Sequence, residues 1–187
     1  PDNSAIVFWA GGKIRRVDVA SRAVADIPFH VADTRRVEEV VRFPVEVAPD
    51  RFDVKMIRWA TTSPDGSKVV YEALGNLWIR DLPTGTPRRL TRQSDHFELY
   101  PSWSRDGRSI VYTTWSDSEL GTVRVVPATG GNGRVVTRQP GHYLEPTFSP
   151  DGRTIAYRST GDGYLTTALW SQNPGIYRVP AAGGEAT

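Results

Sequence analysis

The chain has 187 residues, of which 39% are hydrophobic and 24% charged, a composition typical of a globular domain with a substantial core. Its net charge is +2 and its basic residues are scattered, so we expect no nucleic-acid binding. Cysteine is absent, which excludes disulfides and thiolate metal ligands. No apolar run reaches the roughly 18 residues of a membrane helix, so no membrane insertion is expected. The first residues do not resemble a signal peptide, and we expect a chain that is cytoplasmic, already processed or cut from a longer protein.

Residues 5–29, AIVFWAGGKIRRVDVASRAVADIPF, contain the first predicted strands. They match the second, third and fourth strands of a repeat that occupies most of the remaining chain, but they lack its turn. Residues 30–55 then interrupt the repeat. Their central part, RRVEEVVRFPVEV, alternates well enough for an extended strand, although Pro44 argues against a central position in a sheet. Either an edge strand or arm across a neighbouring sheet, or a long surface connection, fits this segment.

One turn occurs three times, as SPDGSKVVY, SRDGRSIVY and SPDGRTIAY. Proline presets the backbone angle at the second position of a type I turn, the serine hydroxyl bonds the turn backbone, and glycine tolerates a positive φ. Arg105 replaces the proline in the middle copy, which a type I turn accepts. The residues of the repeated turn are Ser63, Pro64, Asp65, Gly66, Ser104, Asp106, Gly107, Ser149, Pro150, Asp151 and Gly152.

Four strands are predicted around each turn. An aromatic segment precedes the turn and places Trp59, Trp103 and Phe148 at equivalent positions, where we expect them to pack between neighbouring sheets. A β-branched run follows the turn, and a third strand follows that run. The fourth strand lies in PRRLT and GRVVT, and TGGNG at residues 129–133 is predicted to be the hairpin turn before it.

The turn glycines are 41 and 45 residues apart, which is the period of four-stranded β-propeller blades. The predicted fold is therefore an all-β β-propeller of about four blades with four antiparallel strands each, the first blade being incomplete. Within a single segment over residues 1–187, the predicted blades are 5–29, 56–91, 97–137 and 143–187, with an irregular connection at 30–55. Four blades are at the low end for a closed ring, so we expect either part of a larger propeller or two chains that complete one.

The loops between the second and third strands lengthen along the chain. From the turn glycine to the aligned third-strand residue there are 11, 16 and 24 residues, ending at Leu77, Val123 and Ile176. In a propeller these loops and the connections between blades emerge on one face, opposite the repeated turns. We call it the loop face. Insertions that accumulate on one face often mark a binding face.

Two near-copies, RQSDHFELY and RQPGHYLE, place a histidine beside an aromatic residue and a glutamate on the loop face. With the long third loop they supply the candidate binding residues His96, Glu98, Tyr100, His142, Tyr143, Glu145, Tyr164 and Trp170. Alternatively, the histidines and glutamates bond the backbone of the connections, and the aromatic rings cover strand edges. Imidazole and carboxylate groups suit zinc or another divalent ion, but no spacing requires one, and we predict neither a metal nor a cofactor.

Motifs for catalysis are absent from the sequence. There is no Gly-x-Ser-x-Gly elbow, no Gly-x-x-x-x-Gly-Lys loop for phosphate and no His-Glu-x-x-His pair for zinc. We therefore predict no catalytic residues, and catalysis by this chain alone is not expected.

The repeated pattern resembles the TolB-like (WD-like) propeller repeats. It consists of W/F-S-x-D-G, followed by L-W-I-x-D-L and then by G-x-P-R-x-L-T. Such repeats also occur in tricorn-type proteases and in large hydrolases that carry a propeller. VFWAGGKIRRVDVASRAVADIPF and ALGNLWIRDLPTGTPRRLT look particularly like the propeller region that precedes an amidohydrolase domain in some bacterial proteins. The resemblance implies a periplasmic location and a catalytic half outside this sequence, which has no His-x-His metal pair.

Two functions are consistent with this resemblance. The first is a non-catalytic propeller that binds a protein or peptide, or gates substrate access to an attached hydrolase. The alternative is a metal-dependent hydrolase of the amidohydrolase type, of which this chain is the N-terminal propeller part. The expected partners are a protein or peptide, a fused amidohydrolase or peptidase domain, or a second copy that completes the propeller.

Overall fold

The computed structural model describes residues 3–38, 40–161 and 173–187. The chain divides into two compact units, Pro1–Pro49 and Asp50–Thr187. All regular elements in the described residues are β-strands, and strands paired within a sheet are antiparallel. The fold is therefore all-β, as predicted, and its succession of three- and four-stranded sheets is that of a β-propeller.

The first unit contains one three-stranded sheet, with β1 (Ala5–Ala10), β2 (Lys13–Asp18) and β3 (Val24–Ile27). Gly11 and Gly12 join β1 to β2 with positive φ angles of 61° and 73°, as a two-residue hairpin turn requires. The next turn is held by Asp18, whose carboxylate accepts hydrogen bonds from the amide and the hydroxyl of Ser21, both at 2.8 Å. Three strands thus occupy residues 5–29, where the match to the repeat predicts them.

Residues 28–38 and 40–57 form no strand in the described part of the chain. Their valines are largely exposed: Val37 is 88% exposed, and Val41 and Val47 are each 91% exposed. The alternating pattern therefore buries neither face, and the edge-strand interpretation is wrong for these described residues. A long surface connection is the alternative that fits.

The second unit contains three sheets in which consecutive strands pair. The second sheet has β4 (Arg58–Thr62), β5 (Lys68–Ala73), β6 (Asn76–Asp81) and β7 (Arg88–Arg89). The third sheet has β8 (Phe97–Trp103), β9 (Ser109–Trp115), β10 (Val123–Pro127) and β11 (Arg134–Val135). The fourth sheet has β12 (Tyr143–Phe148), β13 (Thr154–Ser159) and β14 (Gly175–Pro180). Thr187 exchanges two backbone hydrogen bonds of 2.9 Å with Arg178 of β14, at the position where a fourth strand pairs in the other two sheets.

The repeated turn folds in the same way in all three copies. In the first copy the Ser63 hydroxyl donates to Asp65 Oδ1 at 2.5 Å and accepts the Lys68 amide at 2.9 Å. The Ser63 hydroxyl and the Ser67 amide, which both donate to the carboxylate, lower the pKa of Asp65 to about 2. The other copies repeat the serine contacts, and the three turn glycines have φ angles of 69° to 71°. The turn chemistry predicted from the sequence is confirmed.

Neighbouring sheets of the second unit pack through two hydrophobic cores. The core between the second and third sheets is formed by Val70, Leu77, Ile79, Leu90, Ile110, Tyr112 and Val126. The core between the third and fourth sheets is formed by Val111, Val123, Val136, Ile155, Tyr157 and Val179. Consecutive residues of β9, Ile110 and Val111, belong to different cores because side chains alternate between the faces of a strand. The third sheet is therefore covered on both faces.

Each first strand of these sheets contains a β-bulge, where the pairing register shifts. The bulge residues Trp59, Tyr100 and Glu145 have positive φ angles of 48°, 54° and 53°. Trp59 is therefore equivalent to Tyr100 and Glu145, and its predicted equivalence to Trp103 and Phe148 is wrong. The latter two do pack against the cores between the sheets. The sequence alignment failed at Trp59 because it matched residue type and not the distance to the turn.

The third strands begin at equivalent points of their sheets. Their pairs are Leu77 with Glu72, Val123 with Thr113, and Ile176 with Arg158. Each partner lies six residues after its turn glycine, so the predicted third-strand alignment is confirmed. Residues 74–75 separate β5 from β6, residues 116–122 separate β9 from β10, and residues 160–174 separate β13 from β14, so the separation in sequence lengthens as predicted. The β5–β6 and β9–β10 loops lie at the strand ends opposite the repeated turns and, with the connections between sheets, form the loop face.

Candidate binding site at the loop face

The eight predicted binding residues are distributed over several places of the second unit. His142 and Tyr143 line a cavity of about 590 Å³ at the loop face. His96 lies in the connection between the second and third sheets, and Glu98 lies beside that connection. Tyr100 and Glu145 occupy bulges. Tyr164 and Trp170 lie outside the described residues.

The cavity lies between the fourth sheet and the connection that leads from β11 to β12. Its aromatic wall is formed by one tyrosine from each strand of the sheet, Tyr143, Tyr157 and Tyr177. Polar groups from the connection and the strand ends also line it: Arg138, Gln139, His142, Ser159, Asn173 and Glu185. A cleft that combines an aromatic wall with polar groups is typical of a ligand site.

The three tyrosine rings form a ladder across the fourth sheet. The Tyr157 and Tyr177 ring centroids are 6.1 Å apart with planes at 20°, and Tyr143 meets Tyr157 edge-on at 5.0 Å. The Tyr143 and Tyr177 hydroxyls donate to the backbone carbonyls of Gln139 and Asn173, at 3.0 and 2.9 Å. Burial raises the pKa of Tyr157 to about 12 and also raises that of Tyr143. The ladder is therefore held in place by the protein, and these two phenols are neutral at physiological pH.

His142 brings an imidazole to the cavity beside an indole. Its ring centroid lies 5.3 Å from that of Trp115, with the planes at 57°. Burial lowers the pKa of His142, and the Arg158 guanidinium lowers it further. The imidazole is therefore mainly neutral at pH 7, and it contributes polarity without a full charge.

The connection at residues 136–142 is anchored to its surroundings. Gly121 and Gly141 exchange two backbone hydrogen bonds of 2.9 Å. Arg138 pairs with Glu185 at 3.2 Å, and both side chains are more than half exposed. Because exposed ion pairs contribute little to stability, a ligand can recruit either charge at low cost.

His96 and Glu98 lie at the other junction, between the second and third sheets. The His96 side chain is 6% exposed, and its Nδ1 is 2.9 Å from Asp95 Oδ1. Glu98 is fully buried, and its Oε2 accepts the Leu77 amide at 2.8 Å. The Glu98 contact fits the structural alternative, in which such side chains bond the backbone.

Tyr100 and Glu145 occupy the bulges of β8 and β12. Tyr100 packs on Trp59 of the neighbouring first strand, with ring centroids 4.1 Å apart. Glu145 pairs with Arg158 at 3.1 Å, and both side chains are about half exposed. Neither bulge residue lines the cavity. The structure therefore does not bring all the predicted binding residues together.

Several cavity residues were not among the sequence candidates: Tyr157, Tyr177, Arg138, Glu185 and Asn173. The sequence around Tyr157 and Tyr177 is that of buried strands, so it does not mark them as site residues. Their cross-strand pairing shows that they continue the aromatic wall that includes Tyr143. Among the described residues, no group of three His, Cys, Asp or Glu side chains is placed to hold a metal ion.

Antiparallel sheets that stack through apolar faces, with long loops at one end, define this protein as a β-propeller. The chain belongs to the family of the dipeptidyl peptidase IV (DPP IV) N-terminal region, whose model matches residues 28–146. A comparison with curated protein sequences finds no match. No helix in the described residues has the length and apolarity needed to cross a membrane.

Solved structures with the same fold include TolB from Acinetobacter baumannii, which is 18% identical with a TM-score of 0.50 and aligns over 100% of this chain and 43% of its own. A structure of the nidogen/laminin complex is 14% identical with a TM-score of 0.57, over 98% of this chain and 60% of that chain. An oligogalacturonate lyase in complex with manganese is 14% identical with a TM-score of 0.54, over 100% of this chain and 49% of that chain. The chain thus spans about half the length of the structures it matches.

Proposed function

We propose that the chain is a non-catalytic, TolB-like propeller module that binds a protein or peptide segment at its loop face. The observation that carries this proposal is the tyrosine-walled cavity beside the connection at residues 136–142. Tyrosine supplies large, rigid contact area at low entropic cost, and serine, glycine and asparagine supply adaptable hydrogen bonds. The cavity combines three held tyrosine rings with Ser159, Gly141 and Asn173.

The dimensions of the cavity favour a segment over a folded domain. Its volume of about 590 Å³ lies within the range of roughly 300–1,000 Å³ usual for ligand pockets. Such a volume accommodates a few side chains of an extended peptide. The Arg138–Glu185 pair at the same site offers both signs of charge to the flanking residues of that peptide.

The same proposal extends to an accessory role for an attached hydrolase, whose substrate the propeller would bind or gate. Membership in a family named for the N-terminal region of a peptidase supports this role. The resemblance to propellers that precede amidohydrolase domains favours an amidohydrolase as the attached enzyme, and the resemblance to TolB favours the periplasm. The metal-dependent alternative gains no support from the described residues, because His96 and His142 lie at different junctions.

The test uses a phage-displayed library of random peptides about a dozen residues long. Selected peptides are titrated by calorimetry against the chain and its variants. His142→Ala and Arg138→Ala each remove a cavity-lining group, and we expect each to weaken binding by about fivefold or more. Arg92→Ala is the matched control, because Arg92 is the counterpart of Arg138 in the other near-copy, is exposed and does not line the cavity.

Three results would overturn this proposal. If no peptide is enriched, or if Arg92→Ala weakens binding as much as Arg138→Ala does, the cavity is not a peptide site. If the purified chain holds stoichiometric metal and hydrolyses peptides, and His142→Ala abolishes that hydrolysis, the chain is an enzyme.

A further inference from the structure

A buried imidazole lies at the loop-face end of the junction between the second and third sheets. Only 6% of the His96 side chain is exposed, and its Nδ1 lies 2.9 Å from Asp95 Oδ1. When Nδ1–H donates to Asp95, Nε2 is the unprotonated nitrogen. That Nε2 is buried and has no hydrogen-bond partner among the described residues. The neutral ring therefore fits its site, whereas a protonated ring holds an N–H group without an acceptor.

Glu98, two residues further along, ties the same connection to the β5–β6 hairpin of the second sheet. Its backbone amide donates to the Gly75 carbonyl at 2.9 Å, and its Oε2 accepts the Leu77 amide at 2.8 Å. The residue is fully buried, and its Oε1 has no hydrogen-bond partner in the described part of the chain. The two hydrogen bonds hold the end of the junction closed.

We propose that His96 and Glu98 form an acid-sensitive closure of this junction, in which protonation of His96 releases the connection from the β5–β6 hairpin. The added proton sits on Nε2, and Glu98 Oε1 is an unpartnered acceptor next to the same connection. Either the His96 imidazolium attracts the Glu98 carboxylate away from Leu77, or the charged His96 ring moves out into solvent. Both movements break the hydrogen bond between Glu98 and the Leu77 amide.

Some charged groups around His96 raise its pKa and others lower it. Those that face the ring or its connection are Asp95 of the connection, Glu98 of β8, Tyr112 of β9, Arg124 of β10 and Arg89 of β7. Burial and the Arg124 guanidinium lower the pKa of His96, and they outweigh the Asp95 and Glu98 carboxylates, which raise it. Because the unfolded chain binds this proton near pH 6.5, the closure is fully stable above that pH and weakens as the pH falls below it.

The experiment measures hydrogen exchange of the Leu77 amide by NMR at pH 7 and pH 5, corrected for intrinsic rates. We expect its protection factor in the wild-type chain to be lower at pH 5 than at pH 7, by at most about thirtyfold, because pH 5 lies about 1.5 units below the histidine pKa of the opened chain. His96→Gln keeps a neutral, hydrogen-bonding side chain, so the fall should disappear. His142→Gln is the matched control, because His142 also has a lowered pKa but lies at the other junction, and the fall should persist.

A wild-type measurement keeps the proposal testable if His96→Gln does not fold. The imidazoles of His96 and His142 are titrated by NMR. The Leu77 amide shift should follow the midpoint of His96, which lies below the ordinary histidine pKa of about 6.5. The proposal is overturned if the Leu77 shift does not follow His96, or if its protection falls equally in His96→Gln.

Discussion

At the scale of single residues, close packing limits the size of the side chains that fit at the junctions between sheets. Tyr112 is fully buried in the core between the second and third sheets, and its hydroxyl has no hydrogen-bond partner among the described residues. The hydroxyl lies against the backbone of Gly133, where an added Cβ would overlap it. Gly133 does not have a positive φ angle. Glycine is therefore needed here for space and not for its backbone conformation.

We expect Gly133→Ala to lower the free energy of unfolding by about 2 kcal/mol, because the new methyl group overlaps the Tyr112 hydroxyl. Tyr112→Phe removes an oxygen that has no partner among the described residues, so its effect should stay within about 1 kcal/mol. The double variant should recover part of the loss, but not all, because Tyr112 Cζ would still lie 2.8 Å from the new Cβ. Urea unfolding of the four proteins measures this coupling. Strictly additive losses would show that the hydroxyl is not the obstacle.

At the scale of the element, the three turns share one hydrogen-bond pattern although the middle copy lacks proline. Ser104 bonds Asp106 and the Ser109 amide at 2.6 and 2.9 Å, as the serines of the other copies do. The backbone hydrogen bonds of this turn use the amides of Ser104 and Gly107 and not that of Arg105. Proline at position 105 would therefore cost no turn hydrogen bond.

Arg105→Pro should stabilise the chain by about 0.4–1 kcal/mol, because proline restricts the unfolded chain at a position whose backbone it already suits. Pro150→Arg, in the third copy, is the reverse control and should lose a similar amount. The urea midpoint at constant slope measures both changes. A destabilised Arg105→Pro variant would mean that the middle turn differs from its neighbours in backbone angle.

At the scale of the whole molecule, no sheet follows the fourth sheet on its outer face within the described residues of the second unit. Ile176 on that face is 74% exposed, whereas its equivalents Leu77 and Val123 are fully buried. Arg158 and Arg178 lie on the same face, as the strand alternation requires. Exposed sheet faces of this kind favour association.

If two copies complete a propeller, sedimentation velocity should show an association that increases with concentration. Ile176→Lys should weaken that association, because it places a third positive charge on the uncovered face. Leu74→Lys is the control, since Leu74 is also exposed, at 58%, but lies in the β5–β6 hairpin. A strictly monomeric wild-type chain at all concentrations would rule out completion by a second copy.

Local chemistry explains how much of the fold the sequence predicts. The repeated turn depends on Ser63, Asp65 and Gly66, which lie within four residues of each other, so its structure can be derived without knowing the rest of the chain. Alternation predicts the second and third strands for the same reason. The bulges escape prediction, because an extra residue such as Trp59 leaves the composition of a strand unchanged and only shifts its pairing.

The candidate site is predicted less completely, because near-identical segments meet different surroundings. His96 and His142 precede different sheets, and only His142 lines the cavity. The repeat, the turns, the alignment of the third strands and the face on which the connections lengthen follow from the amino-acid sequence, since these depend on neighbours along the chain. The tertiary structure alone decided that Tyr157 and Tyr177 join Tyr143 in a cavity wall and that Glu98 bonds the second sheet, because these contacts depend on how separate strands and sheets pack.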